Sequence, residues 1–500
     1  MTLVWLIAIL LIGGVVAWLA ERWGRQLPRW ISLFAIALDL VLAAIIWVGS
    51  SSRATLSTTQ LWLSEVDWNW VPSFGIHFHL ALDGLSLLML GLTFFLGIMA
   101  VLASWTEIQE KVGFFHFNLM WVLAGIVGVF LAMDLFLFYF AWELMLVPMY
   151  FLIVIWGHER RVYAGAKFFL FNQCSGLLML IAILALYFLH HQATGVYTFE
   201  YSQLLNTQLS HRAELGMMLG FFVAFAVKLP VVPLHTWLPD AHTQASTAGS
   251  VILAGLLLKT GAYGMLRFVV PLFPHAAHEF TPVALVLAAT GIVYGAVMAY
   301  SQTDLKRLVA YTSVSHLGFV LLGIFSWNPL ALQGAIMTMI CHGLSTGALF
   351  ILAGGLLERL HTRDLSQMGG LWTAMPRLSG AALFFSLGSL GLPGLGDFVG
   401  EFLVLLGSYR VSIAITVVAS LGVLASTFYA LRMVQRAFLG PNTHAWRLPD
   451  LNPREAFMMA AMIVGLLGLG LYPQPVFTTC GRALENLQRE AQPAIAALRR

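Results

Sequence analysis

"FAVKLPVVPLHTWLPDAH", residues 225–242, lies inside one of the most apolar stretches of a 500-residue chain, yet it carries a lysine, three prolines, two histidines and an aspartate. A helix surrounded by lipid has no use for them. Each proline removes a backbone donor, and a lysine or aspartate at the centre of a membrane helix costs about 2.5–3.5 kcal/mol. What keeps such residues in place decides the fold and the chemistry.

The surroundings are those of a polytopic membrane protein. Hydrophobic residues make up 59% of the chain and charged residues only 10%, whereas a soluble domain carries about a quarter charged residues. Apolar runs of roughly 20 residues recur along nearly the whole length. They predict an all-α protein with about fourteen spans, at 3–20, 31–49, 82–104, 115–132, 134–156, 165–189, 214–240 (interrupted), 247–270, 281–300, 306–326, 330–357, 379–408 (interrupted), 412–438 and 455–472. An outer loop is expected from Ser50 to His79, and a short solvated helix from Cys480 to Arg500. The first run has no basic residue before it and Arg22, Arg25 and Arg29 after it, the reverse of a secretory signal. Threading the spans alternately puts Arg160, Arg161, Lys167, Lys306, Arg307, Arg359, Arg363, Arg377, Arg432, Arg436, Arg447 and Arg454 on the cytoplasmic side. Lysine and arginine then favour that side roughly two to one, which predicts an even number of spans with both termini outside. The net charge of +3 follows from this orientation and implies no nucleic-acid partner.

Cys174, Cys341 and Cys480 are too scattered to bind a cluster, zinc or haem, and the chain has neither a GxGxxG turn nor a P-loop. No redox cofactor is expected in it.

Two interruptions share a shape. The seventh span breaks at Lys228-Leu229-Pro230 and the twelfth at Gly391-Leu392-Pro393, in "SLGSLGLPGLGDFVGEF". They lie five spans apart, and the fifth and tenth spans begin alike, with "MDLFLFYFAWE" and "TDLKRLVAYTS". This is the pattern of inverted repeats whose broken helices mark a transport site. It divides the chain into an N-terminal three-helix segment (1–104), a first five-helix repeat (115–270), a second, inverted repeat (281–438), and a last span with a short outer tail (455–500). Pro230, Pro233 and Pro393 free the carbonyls of Ala226, Leu229 and Ser389, and Pro148 frees that of Leu144. Free carbonyls at membrane depth predict a hydrated interior along the breaks.

Glu143, Lys228, Lys259 and Glu401 all fall near the middle of spans. Together they cost roughly 10 kcal/mol, comparable with the whole net stability of a protein. One reading is an ion pair between Glu143 and Lys228 that locks two helices. The other is a proton relay, in which burial loosens the hold of a lysine on its proton and a carboxylate about 5 Å away opposes this by about 3 kcal/mol. Moving or neutralising that carboxylate would then switch the lysine. His316 and His342, with Ser313, Ser315, Thr338, Ser345 and Thr346 close in sequence, suit a chain of groups that hand on protons. His235, within the break, is a weaker candidate that a freed carbonyl would hold equally well. Asp240, His242 and Asp304, at span ends, suit capping or loop contacts.

These stretches, together with "FHLALDGLSLLML", "FYFAWELMLVPMY", "SQTDLKRLVAYTSVSHLGF" and the run from Ala224 to Gly264, resemble the antiporter-like membrane subunits of respiratory complex I over almost the full length. The glutamate at 401 is similar to the M branch of that family, since the L and N branches carry lysine there. The resemblance implies fourteen spans and one proton path. Glu143 and Lys228 would be its coupled pair, Lys259 its central lysine, His316 and His342 connectors, and Glu401 the outlet. It also implies partner subunits, sister chains L and N among them, that hold flavin, iron–sulfur clusters and quinone, in a bacterial inner membrane. Two relatives share these motifs: subunits of redox-independent multisubunit cation/proton antiporters and of membrane-bound hydrogenases.

Overall fold

A computed structural model describes residues 1–53, 61–205, 207–442 and 445–498. In chain order the long helices are α1 (Thr2–Ala20), α2 (Leu27–Arg53), α3 (Gly84–Glu107), α4 (Val112–Leu131), α5 (Leu135–Leu144), α6 (Leu146–Trp156), α7 (Arg161–Thr194), α8 (His211–Lys228), α9 (Trp237–Gln244), α10 (Thr247–Leu272), α11 (Thr281–Ser301), α12 (Leu305–Phe325), α13 (Pro329–Leu360), α14 (Pro376–Ser389), α15 (Gly396–Tyr409), α16 (Ile413–Ala437), α17 (Pro453–Leu471) and α18 (Gln474–Leu498). Among the described residues, twelve spans are long and apolar enough to cross a bilayer, with α5 and α6 counting as one. The two further segments in the expected set of fourteen are α8–α9 and α14–α15, each split into shorter halves. Many helices start at polar residues that bind the first free amides: Asp83 caps α3, Asp134 caps α5, Asp304 caps α12, and Asn328 caps α13 ahead of Pro329.

The breaks are satisfied by protein more than the sequence suggests. The Ala226 carbonyl accepts the Val231 N–H at 2.9 Å, and the Val227 carbonyl accepts the Trp237 indole N–H at 2.9 Å. At the second break the Tyr429 hydroxyl reaches the Ser389 carbonyl at 3.5 Å. There Gly391 and Gly394 take φ of 78° and 96°, a left-handed backbone that suits glycine. The expected hydration along the breaks is therefore not needed for these carbonyls. The fifth span, expected to be continuous, divides at Met145, because Pro148 cannot bond to Leu144.

The apolar middle of each of α10, α12 and α13 is wholly buried within the chain. α10 carries two wide turns, Leu253–Leu257 and Met265–Val269, on either side of Lys259. Gly261 lets α10 meet the end of α8: a Cβ there would lie 2.7 Å from the Phe225 carbonyl oxygen and 3.1 Å from the Lys228 Cβ.

The segments expected on the outer side differ from expectation in two ways. Part of the expected loop from Ser50 to His79 lies outside the described residues, and the rest holds an antiparallel hairpin of β1 (Ser64–Val71) and β2 (Ile76–Leu82). Tryptophan and polar residues alternate along β1, Trp68 facing Phe78 on one side of the hairpin and Asp67 facing His79 on the other. The expected short solvated helix begins at Gln474 instead of Cys480 and is amphipathic, burying Val476, Cys480, Ala483, Leu484 and Leu487. The hairpin is knotted to the chain behind it: the His77 N–H donates to Asp134, the Met133 N–H to the His79 carbonyl, and the Phe199 N–H to the Gly75 carbonyl. The His79 ring bridges Glu200 at 2.6 Å and Glu65 at 2.9 Å.

Burial works against the charged form of His79, but Glu200, Asp67 and Glu65 outweigh it and raise its pKa above the ordinary 6.5. Desolvation pushes Asp134 up to about 6. Both groups bind protons more tightly in the folded knot than in the open chain. Their stabilisation is complete below each group's ordinary value and is lost as pH rises, through about 6 for Asp134 and above 6.5 for His79. Amide exchange at Met133 and Phe199 should therefore quicken between about pH 6 and about pH 8 by more than the intrinsic base-catalysed rise. His79→Gln should flatten that excess; an unchanged excess in the variant would rule out the histidine as its source.

Candidate proton relay

Glu143 and Lys228 approach from opposite directions. Glu143 is on the last turn of α5, just before the division at Met145, and its Oε1 faces α7, where a Cβ on Gly176 would come within 2.6 Å of it. Gly176 is the notch that admits the carboxylate. Tyr139 and Gln173 are its polar neighbours. Lys228 ends α8 and is buried, but its ammonium does not pair with Glu143. It stands 4.4 Å from the centre of the Trp142 ring and makes no hydrogen bond to a described residue. The locking ion pair is thus absent from this structure. A cation over an indole face keeps its electrostatic partner without a proton acceptor in reach.

The centre is a direct contact. The Lys259 ammonium donates to the Ala254 carbonyl, in the first wide turn of α10, and meets His342 Nδ1 of α13 at 2.6 Å. Both side chains are sealed from solvent. The wide turn supplies the Ala254 carbonyl that an ordinary helical turn would keep for itself. His342 Nε2 has no partner among the described residues, and its ring centre is 5.7 Å from that of His316 on α12.

His316 and Glu401 belong to a cluster. His316 Nδ1 meets Glu401 Oε1 of α15 at 2.5 Å, while its Nε2 faces the Ser389 hydroxyl at 3.0 Å and the Tyr429 hydroxyl at 3.1 Å. Ser389 sits at the break after α14, so the second interruption carries a polar arm of the cluster. Sequence reasoning missed Asp397. It lies four residues before Glu401, hence on the same helix face; its Oδ1 accepts from the Ser345 hydroxyl at 3.1 Å and its buried Oδ2 has no partner among the described residues. The i, i+4 spacing in "GDFVGEF" was the available signal.

Two other expectations change. Asp240 makes no cap and instead joins Lys167 at 2.7 Å and Arg307 at 3.1 Å. His242, also expected in a cap or loop contact, is sealed against the Phe350 ring, with neither nitrogen partnered among the described residues. His235 is buried beside Tyr294, with the Pro233 carbonyl of the break as its backbone hydrogen-bonding neighbour. Of the nearby hydroxyls, Ser315 and Thr338 are occupied with backbone carbonyls, whereas Ser345 reaches the cluster through Asp397. Asp304 does cap its helix and also pairs with Arg363 at 3.1 Å.

Comparisons with known proteins identify the family. The family described as "NADH:quinone oxidoreductase/Mrp antiporter, TM" matches residues 132–428. The chain is 55% identical to the NADH-quinone oxidoreductase subunit M of Escherichia coli K12, over 98% of both chains. A chain of respiratory complex I from Thermus thermophilus superposes with a TM-score of 0.88 at 30% identity, covering 98% of this chain and 99% of that one. A chain of the Mrp complex from Dietzia gives 0.85 at 23% identity, covering 99% of each, which shows a shared fold. With full-length identity to subunit M and a family match over its central helices, the chain belongs to the NADH:quinone oxidoreductase/Mrp antiporter transmembrane family, in its NADH-quinone oxidoreductase subunit M group.

Proposed function

We propose that this chain moves protons across the membrane as a non-redox, membrane-arm subunit of a proton-translocating NADH-quinone oxidoreductase, the drive coming from quinone reduction in partner subunits. The observation that carries the reading is the buried series Lys259–His342–His316–Glu401, made of proton-bearing side chains on α10, α12, α13 and α15. In this reading the chain holds no cofactor; flavin, iron–sulfur clusters and quinone belong to its partners, and sister chains L and N lie beside it in a bacterial inner membrane. Both termini are outside, and residues 115–270 and 281–438 act as inverted repeats.

Each contact has a direction. While Lys259 is charged, its N–H donates to His342 Nδ1, leaving Nε2–H as the free donor toward His316. A proton received by His316 is held by Glu401 on Nδ1 and by two hydroxyls on Nε2. Rotation of either ring, or one water, closes the step between the two histidines. On the input side, Lys228 waits on Trp142 until the charge of Glu143 changes. Swinging the lysine from the ring toward Gly261 then presents it to α10. His242, unpartnered and sealed in the same interior, supplies the way in from the cytoplasmic side, and His235 is a weaker member.

Glu143→Ala or Lys228→Ala should lower proton pumping coupled to NADH oxidation by about tenfold or more, equivalent to at least about 1.4 kcal/mol on the transfer barrier, while the complex still assembles. Parental stoichiometry in either variant would sink the relay. A passive scaffold would tolerate Lys259→Met, an apolar replacement of similar volume; the relay would not. Sodium-dependent proton exchange by the chain in cells lacking quinone oxidoreductase would favour the antiporter reading instead.

Asp397→Asn keeps the Ser345 contact but removes a carboxylate from the outlet. It should slow pumping less than Glu401→Gln does and shift the pH profile of pumping. An unmoved profile would reduce Asp397 to a packing group.

A further inference from the structure

A second set of buried polar atoms lies away from the relay, in the N-terminal helices. On α2, Arg29 Nε, Ser32 Oγ and both carboxylate oxygens of Asp39 have no hydrogen-bond partner among the described residues, and on α4 neither ring nitrogen of His116 has one. All four side chains are almost wholly covered, at 2%, 0%, 0% and 1% exposure. Their register places them in one column. A Cβ on Gly13 of α1 would lie 3.1 Å from both Ala35 of α2 and Met120 of α4, so these two residues share a level. One turn toward the arginine-bearing face are Ser32, three residues before Ala35, and His116, four before Met120. Arg29 lies one turn further, its guanidinium donating to the Ile108 carbonyl at 2.8 Å beyond the end of α3. Asp39 lies one turn on the other side of Ala35.

The column has one open direction. Past Asp39, α2 reads Leu40 to Ile46 without a polar side chain, and past Met120 the only polar group on α4 is Trp121, whose N–H is taken by the Leu11 carbonyl. Of the helices packed on α2, α1 brings no ionisable side chain, and the short turn Glu21–Trp23 brings Glu21 and Arg22 at the arginine-bearing end. α3 brings only Glu107, which binds the Thr247 N–H, and α4 brings only His116. Buried polar atoms are almost always partnered, by protein or by internal water. A carboxyl with no cation beside it is carried in a membrane as the acid.

We propose that Arg29, Ser32, His116 and Asp39 line a blind, water-filled pocket that opens only toward the face bearing Arg22 and Arg25, with Asp39 at its closed end as a reversible proton-binding site. A proton enters from water, passes by the His116 ring to an Asp39 oxygen, and leaves by the same route, so nothing crosses the membrane here. The site is separate from the relay, and its proton binding is read without pumping.

Infrared difference spectra of the purified assembly containing this chain, wild type minus Asp39→Asn, should show one protonated-carboxyl band that moves promptly in D2O. His116→Phe should slow that movement about tenfold or more, a barrier change of about 1.4 kcal/mol. The proposal is overturned if Asp39→Asn removes no protonated-carboxyl band, if the band stays put in D2O, or if His116→Phe leaves its rate unchanged. Asp39→Asn should also pump at the parental stoichiometry; a lowered value would mean that the column continues through the membrane and would overturn the blind end. Should Asp39→Asn not assemble, carbon-13 labelling of aspartate in the unmodified assembly gives the same band, and His116→Phe assigns it.

Discussion

The structure is organised around one contact, the Lys259 ammonium against the His342 imidazole. An ammonium buried among aliphatic helices is tolerable only when its donors are taken up, and here a backbone carbonyl and a ring nitrogen take two of them. The carbonyl is available because α10 widens into a π-turn just before the lysine. The nitrogen is available because α13 lies along the same buried seam. Central placement of a charge thus dictates irregular backbone in one helix and a histidine in the next. Burial makes the contact expensive and the lysine sensitive: the low dielectric that penalises a lone charge also makes it responsive to every charge near it.

Glycines set the distances on which this depends. Gly176 leaves room for the Glu143 carboxylate against α7, and Gly261 lets the end of α8 rest against α10. A methyl group at either place would have to displace a carboxylate oxygen or backbone atoms. The polar path is therefore shaped as much by what is missing from neighbouring helices as by its own side chains.

Much of this was legible in the sequence, and the reasons for the rest are specific. Membrane spans declare themselves because hydropathy over 20 residues averages out local detail, and Lys259, His316, His342 and Glu401 stood out as polar residues where none should be. The contacts of Lys259 with His342 and of His316 with Glu401 join residues far apart in the chain, so their pairing was not readable from spacing, although their membership was. Asp397 was hidden by its position in a helix's first turn, where an aspartate has an ordinary capping use. His242 was hidden in the same way by lying near a helix end. The hairpin at Ser64–Leu82 was missed because alternation of tryptophan and polar residues on an outer surface reads like a loop, and the division at Met145 because a single proline inside an apolar run is often absorbed by a gentle kink.

The position of Lys228 over Trp142 has a consequence for the timing of any charge movement. An aromatic face attracts a cation but has no lone pair with which to take its proton. While the ammonium rests there it is electrically counted and chemically idle: a stored charge disconnected from the conductor. Departure from the ring, rather than acid strength alone, would then be the event that admits each proton, giving the protein a mechanical gate at the place where back-leakage would otherwise begin.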